Sequence, residues 1–253
     1  MPAAAASARA EAREPTDAIW CEGVGRRFGR RWALAHVDLR VRTGETTVIV
    51  GANGSGKTTL LRILAALCHP SCGRIEVAGH HPVTQRTRVR RQVSLISHQS
   101  FLYGGLDAFE TVALWTRLLE AQGEPPVGRQ RIAELLDSVG LGHVAGVPVR
   151  DFSQGMRKRL SLLRAAIEPS RIVLLDEPFA ALDPPGQQLI SEWIGVFGRA
   201  GRTVVFASHA LAAARQLATR AVVLQSGQVA WSGPAAAMPE LGQLPALRAA
   251  EGR

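Results

Sequence analysis

Only three cysteines occur in 253 residues, Cys21, Cys68 and Cys72, too few and too unevenly placed for a disulfide framework. A fold stapled by cross-links is thereby excluded, and a reducing compartment is expected. Long apolar runs are missing too: no stretch approaches the roughly 20 apolar residues of a membrane-spanning helix. Any membrane association is expected to go through another polypeptide or the surface. The first seventeen residues, MPAAAASARAEAREPTD, lack the continuous apolar segment of a secretory signal and read as a loose tail. Acidic residues are fewer than basic ones, 21 against 30, for a formal charge of +9. That balance favours an anionic partner, whether a nucleotide, a nucleic acid or an acidic membrane, without choosing among them. The basic residues form short clusters, RRFGRR at 26–31, RTRVRR at 86–91 and RKR at 157–159, each read by default as solvated surface. Cys68 and Cys72 flank His69 in CHPSC, followed by His80 and His81, a spacing that matches none of the common zinc patterns.

What is present is 46% apolar residues with 20% charged, enough for a sizeable core in one large domain or two small ones. Short alternating patterns over 19–45 predict strands of a small sheet, and TTVIV at 46–50 predicts a buried central strand. A helix is expected over about Lys57–Leu67, then strands in GRIEVAG and RQVSLIS. DAFETVALWTRLLEA (107–121) and GRQRIAELLDSVGL carry apolar residues at helical spacing and predict a helical insert of roughly fifty residues. A further helix, GMRKRLSLLRAAI, leads into the apolar strand RIVLLD (171–176). A helix near 186–200 then precedes the strand RTVVFAS (202–208). This alternation is the α/β pattern of a mostly parallel sheet. AVVLQSG and QVAWSG predict a terminal hairpin, with a short helical tail beyond Pro234.

Between the predicted strand and the first helix, Gly51–Thr58 reads GANGSGKT and fits the phosphate-loop pattern at each required position. Gly51, Gly54 and Gly56 let the backbone of Ala52, Asn53 and Ser55 turn its N–H groups towards phosphates, and the helix that follows presents unpaired amides. Lys57 is expected to neutralise the β and γ phosphates, and Thr58 to place its hydroxyl on magnesium. Such a loop needs an acidic partner on a neighbouring strand. Asp176 stands at the carboxyl end of RIVLLD, where open α/β sheets put their ligands; a carboxylate there also serves as a helix cap. The adjacent Glu177 suggests a division of labour, with Asp176 on magnesium and Glu177 on the attacking water. His209, just past VVFAS, is a third candidate, as γ-phosphate contact and water positioner.

These residues resemble the ATPase subunits of ABC transporters. The likeness is carried by the phosphate loop, FSQGM (Phe152–Met156), LLDEP, ALD and the late histidine, and it extends over about 19–233. It implies an α/β P-loop NTPase core of the ABC ATPase type with a small antiparallel β subdomain and a helical insert. The implied division is a tail over 1–17, one ATPase domain over 18–233 with its insert at about 101–155, and a short tail over 234–253. It implies ATP and Mg²⁺ as ligands, hydrolysis of ATP to ADP and phosphate, and catalytic roles for Glu177, His209 and Lys57. Further contacts follow from the same likeness. Phe28 would stack on adenine, Thr59 would extend the phosphate loop, and Gln99 would contact magnesium and water, with His98 the neighbouring alternative in register. Ser153, Gln154 and Gly155 would face the γ-phosphate held by an opposing subunit, and Asp183 would lie on the loop crossing that interface. Gln154 and Met156 depart from the common LSGGQ form of the signature, while the serine and second glycine are kept.

The implied partners are a second copy or a homologous ATPase, together with integral permease subunits at the cytoplasmic face of the cell membrane. No stable nucleic-acid partner is expected. Residues 97–119, the compact length, FSQGM and DEPFAALD look like the haem exporter ATPase of cytochrome c maturation, so haem export or delivery is the expected task. The alternatives are an ATPase of another export system (drug, polysaccharide or lipid), a nucleic-acid-acting ATPase, and a subunit that binds ATP without turning it over.

Overall fold

Alternating burial from residue 17 onward builds two long antiparallel strands, β1 (Asp17–Phe28) and β2 (Arg31–Arg42), to which β4 (Cys72–Val77) adds in the order β2-β1-β4. The structure is a computed structural model that describes residues 16–97, 102–209 and 215–240. A six-stranded sheet runs in the order β5-β6-β7-β3-β8-β9. Its members are β3 (Thr46–Val50), β5 (Val93–Ile96), β6 (Ile172–Asp176), β7 (Thr203–Ser208), β8 (Arg220–Gln225) and β9 (Gln228–Pro234). The first five are parallel, and β9 closes the expected terminal hairpin antiparallel to β8. Strands β3, β6 and β7 are buried at every position, as expected where both faces of a parallel sheet are covered. The α/β expectation, with a small antiparallel sheet beside the parallel one, is met.

Helix α1 (Lys57–Leu64) is buried between the two sheets through Leu60, Leu61, Ile63 and Leu64, in one core with Ile19, Leu34, Val37, Ile49 and Val205. It stops three residues short of the expected Leu67, because Ala66 takes φ 54° and the Leu67 and Cys68 N–H groups both turn back to the Arg62 carbonyl. The cluster at 86–91 makes a short helix, α2 (Arg86–Gln92), whose arginines are exposed, as expected of solvated surface, with the Arg86 Nε also donating to the Ala66 carbonyl at 2.9 Å. The second core packs helices α5 (Gln154–Ile167) and α6 (Pro184–Arg199) on the other sheet face through Leu162, Ala165, Ile190, Ile194 and Phe206. Ala235 and Met238 join this core, just past the end of β9.

The insert contributes α3 (Ala108–Glu120) and α4 (Arg129–Ser138), joined to α5 by a third core that includes Val112, Leu136, Leu141, Leu160 and Leu163. Helix α3 starts on a reciprocal cap: the Glu110 N–H donates to Asp107 Oδ1 at 2.7 Å, and the Asp107 N–H donates to Glu110 Oε2 at 3.0 Å. Cys21, Cys68 and Cys72 are free thiols, and burial pushes Cys21 up from its ordinary value, so it stays protonated. Among the described residues no group of three or more His, Cys, Asp or Glu side chains converges on one point, and no helix is long and apolar enough to cross a membrane.

Candidate functional site

Parallel register brings the separate motifs to one edge. Val50 pairs with Ser208 across β3 and β7, and Asp176 pairs with Ala207 across β6 and β7. The residues that leave these strands at their carboxyl ends, Gly51, Glu177 and His209, therefore emerge side by side.

The glycines have distinct jobs. Gly56 caps α1 at φ 108°, a backbone conformation that residues with a Cβ rarely adopt. A Cβ on Gly51 would lie 2.2 Å from the Leu224 carbonyl oxygen and 2.6 Å from Ser55 Oγ. The loop thus packs its backbone directly against β8. No side chain caps α1, and its first turn holds no acidic residue, so its leading N–H groups and dipole face the cavity in front of it.

That cavity, about 390 Å³, is lined by Phe28, Arg31, Trp32, Ala33, Asn53 to Thr59, and Glu177. Phe28 closes one side, 52% exposed, with the Arg26 guanidinium 4.5 Å from its ring centre. At the other side Lys57, only 6% exposed, donates from Nζ to the carbonyls of Gly51 at 2.7 Å and Ala52 at 3.2 Å, and stands 3.4 Å from Glu177 Oε1. The other carboxylate oxygen, Glu177 Oε2, is 2.8 Å from His209 Nδ1. An ionised carboxylate only accepts, so Nδ1 carries the proton in that bond. Thr58 lines the cavity and its Oγ1 donates to Asp176 Oδ1 at 3.0 Å; the carboxylate itself stands behind, 4% exposed. Ser55 Oγ is buried with no hydrogen-bond partner among the described residues.

The structure thus places Phe28, Asn53 to Thr59 and Glu177 on the lining of one cavity, with Asp176 against Thr58 and His209 against Glu177. It leaves Ser153, Gln154, Gly155 and Asp183 outside that lining. Ser153 caps α5 by accepting from the Met156 N–H at 3.1 Å, and Asp183 caps α6 by accepting from the Gly186 N–H at 3.1 Å. Gly155 faces the loop before α6, its Cβ position 3.4 Å from Leu182 Cδ2. Gln99 and its neighbour His98 lie outside the described residues.

Sequence reasoning missed Arg31, Trp32 and Ala33, which reach the cavity only through the hairpin after Phe28. It also misread the cluster at 157–159. Arg157 donates to the carbonyls of Val149 and Arg150, and Arg159 to that of Val139. Lys158 Nζ donates to the carbonyls of Glu177 at 2.6 Å and Ala180 at 2.8 Å. Burial, outweighing the attraction of Glu177 and Asp176, brings the Lys158 ammonium down to about 8.

A phosphate loop, a strand-end carboxylate pair and a histidine on a parallel sheet define a P-loop nucleoside triphosphatase. The ABC transporter family model matches residues 34–180. The daunorubicin resistance ATP-binding protein DrrA3 of Streptomyces coeruleorubidus is 36% identical over 218 residues, covering 86% of this chain and 68% of its own length. The sulfate/thiosulfate import ATP-binding protein CysA 1 of Agrobacterium fabrum is 37% identical over 220 residues, covering 84% of this chain and 62% of its own length. The chain therefore spans about two thirds of these relatives. A solved ATP-binding cassette, a dimer in a post-hydrolysis state bound to ADP and Pi, superposes with TM-score 0.76 at 27% identity, covering 86% of this chain and 98% of the other. The chain belongs to the ABC transporter family and is one of its ATPases, with ATP as its nucleotide.

Proposed function

We propose that the chain is the ATP-hydrolysing subunit of a membrane transporter, working as a face-to-face pair with a second copy or a homologous ATPase. The observation that carries this reading is the split site. Asn53 to Thr59 and Glu177 line one cavity, with His209 2.8 Å from Glu177, whereas Ser153 to Gly155 are outside that lining and meet Met156 and Leu182 instead. A partner's signature helix, uncapped by acid in its first turn, supplies the missing donors to a γ-phosphate.

In this reading Phe28 stacks on the base, the amides of Gly51 to Thr59 hold the phosphates, and Lys57 offsets their charge. Glu177 aligns the attacking water and accepts its proton; His209 orients that carboxylate from one side and Lys57 from the other. Thr58 and Asp176 offer hard oxygen donors 3.0 Å apart beside the loop, the donor type that suits Mg²⁺, with Gln99 as a further ligand. When bound, Mg²⁺ neutralises charge on the β and γ phosphates. Residues 18–233 form the cassette, together with Asp17 at the start of β1 and the buried Ala235 and Met238 just past β9, so the packed chain runs beyond the tail bounds expected at 17 and 234. The insert at about 101–155 is the part that permease subunits grip at the cytoplasmic membrane face.

The haem cargo rests on the sequence resemblance alone. The relatives above name daunorubicin resistance and sulfate or thiosulfate import instead. Stimulation of ATPase by haem in the permease complex, absent with daunorubicin or sulfate, is the result expected for haem delivery. Pairing is tested first with Glu177→Gln, which keeps the shape of the side chain and removes its charge. Light scattering with ATP is expected to show the variant at twice the monomer mass, with phosphate release at least a hundredfold below the parent. Unchanged release sinks the role of Glu177, and a monomer at saturating ATP sinks the pair.

A further inference from the structure

We infer that Lys158 is a positioning residue for hydrolysis: it pins the backbone of Glu177 to the signature helix, and its compact ammonium is required there. The inference rests on the reading of Glu177 as the residue that aligns water.

Two observations carry it. The first is geometry. Lys158 lies on the second turn of α5, which Ser153 caps, and its Nζ bridges the carbonyls of Glu177 and Ala180 at 2.6 and 2.8 Å. The segment it spans is contorted: Glu177 has φ 50° and Ala181 φ 59°, left-handed values unusual for residues with a Cβ. Among the described residues the backbone of this turn is otherwise tied by the Glu177 N–H to the Ala207 carbonyl and the Ala180 N–H to the Glu177 carbonyl, while the Glu177 carboxylate meets Lys57 and His209. The direction of the Glu177 side chain follows from its backbone, so the ammonium that holds the carbonyl also aims the carboxylate at Lys57 and His209.

The second observation is compositional. Of the 30 lysines and arginines in the chain only two are lysine, Lys57 in the phosphate loop and Lys158. A sequence that uses arginine nearly everywhere else keeps lysine where one point donor must meet two converging carbonyls. A planar guanidinium on a longer stem does not reproduce that contact.

Because α5 also carries Ser153 to Gly155, the bridge gives the paired assembly a mechanical link. The chain's own Glu177 and the signature it offers to the opposite nucleotide are braced on one side chain. Movement of the signature helix on engaging the partner's phosphate is thereby transmitted to Glu177.

The test is steady-state phosphate release and ATP titration for Lys158→Arg and Lys158→Met, with Glu177→Gln measured beside them. Both Lys158 variants are expected to bind ATP within about threefold of the parent and to keep KM, while kcat falls at least tenfold. A Lys158→Arg chain with kcat within threefold of the parent overturns the inference, as does a fall in kcat matched by an equal loss of ATP affinity. If one variant fails to fold, the other decides on the same criteria. Normal turnover by Glu177→Gln sinks the underlying role of Glu177; a dead Glu177→Gln beside an active Lys158→Arg sinks the bridge alone.

Discussion

A single methyl at Gly56 opposes two features of the loop at once. The first is conformational: φ 108° lies where residues with a Cβ are strained, at a cost of about 1–3 kcal/mol. The second is steric. A Cβ there would sit 2.6 Å from the Ala33 carbonyl oxygen and 2.7 Å from Leu34 Cδ2. The leucine methyl can turn aside, but the Ala33 oxygen belongs to β2, which is tied two residues further on by the Ala35 N–H to the Gly227 carbonyl at 2.7 Å. Overpacking of this kind adds about 1–3 kcal/mol. The loop relieves the strain by giving up its phosphate-binding shape, so Gly56→Ala is expected to weaken ATP binding at least 30-fold. Gly54→Ala is the control. Its φ of 78° carries a strain of about 1–2 kcal/mol, but nothing lies within 4 Å of its Cβ position. It is expected to bind ATP several-fold more tightly than Gly56→Ala. Titration calorimetry on the two variants in parallel measures the steric part directly, and equal affinities refute the reasoning.

Lys57→Ala removes a buried ammonium whose contact with phosphate is a charge-assisted hydrogen bond worth about 1.5–3 kcal/mol. ATP affinity measured by titration is expected to fall roughly 10- to 150-fold. Asp107→Ala breaks the reciprocal cap of α3, at a cost of about 1 kcal/mol. For a chain of this size that lowers the melting temperature by about 2–4 °C. Calorimetry should find Asp107→Asn, which keeps an acceptor for the Glu110 N–H, closer to the parent. Neither Asp107 variant is expected to alter ATP affinity.

Local chemistry made much of this molecule readable before its structure. The phosphate loop is contiguous, its glycines answer to backbone geometry, and the strands on either side of it are apolar throughout because both sheet faces are covered. Asp176 and Glu177 were legible for the same reason, standing where a buried strand ends. Contacts across long separations were not. Nothing in RKR distinguishes a solvated cluster from one whose three side chains hold carbonyls at Val149, Glu177 and Val139. Arg31 to Ala33 reach the cavity only because β2 returns beside β1. The end of α1 was overextended because the turn at Ala66 depends on a backbone angle that alanine rarely adopts. The assignment of Gln99 falls outside the described residues, and the signature roles of Ser153 and Gly155 need a second chain.

The central claim, that each ATP lies between the phosphate loop of one chain and the signature of another, is tested most directly by mixing two dead variants. Lys57→Ala lacks a working phosphate loop, and Ser153→Arg blocks the signature. Each alone is expected to release little phosphate. A mixed pair contains one site built from the intact loop of one chain and the intact signature of the other. The account predicts that phosphate release returns on mixing in equal amounts, towards about a quarter of the parent rate, since half the pairs are mixed and each has one intact site. Mixtures that stay as inactive as their components, or either variant hydrolysing ATP at the parent rate by itself, contradict it.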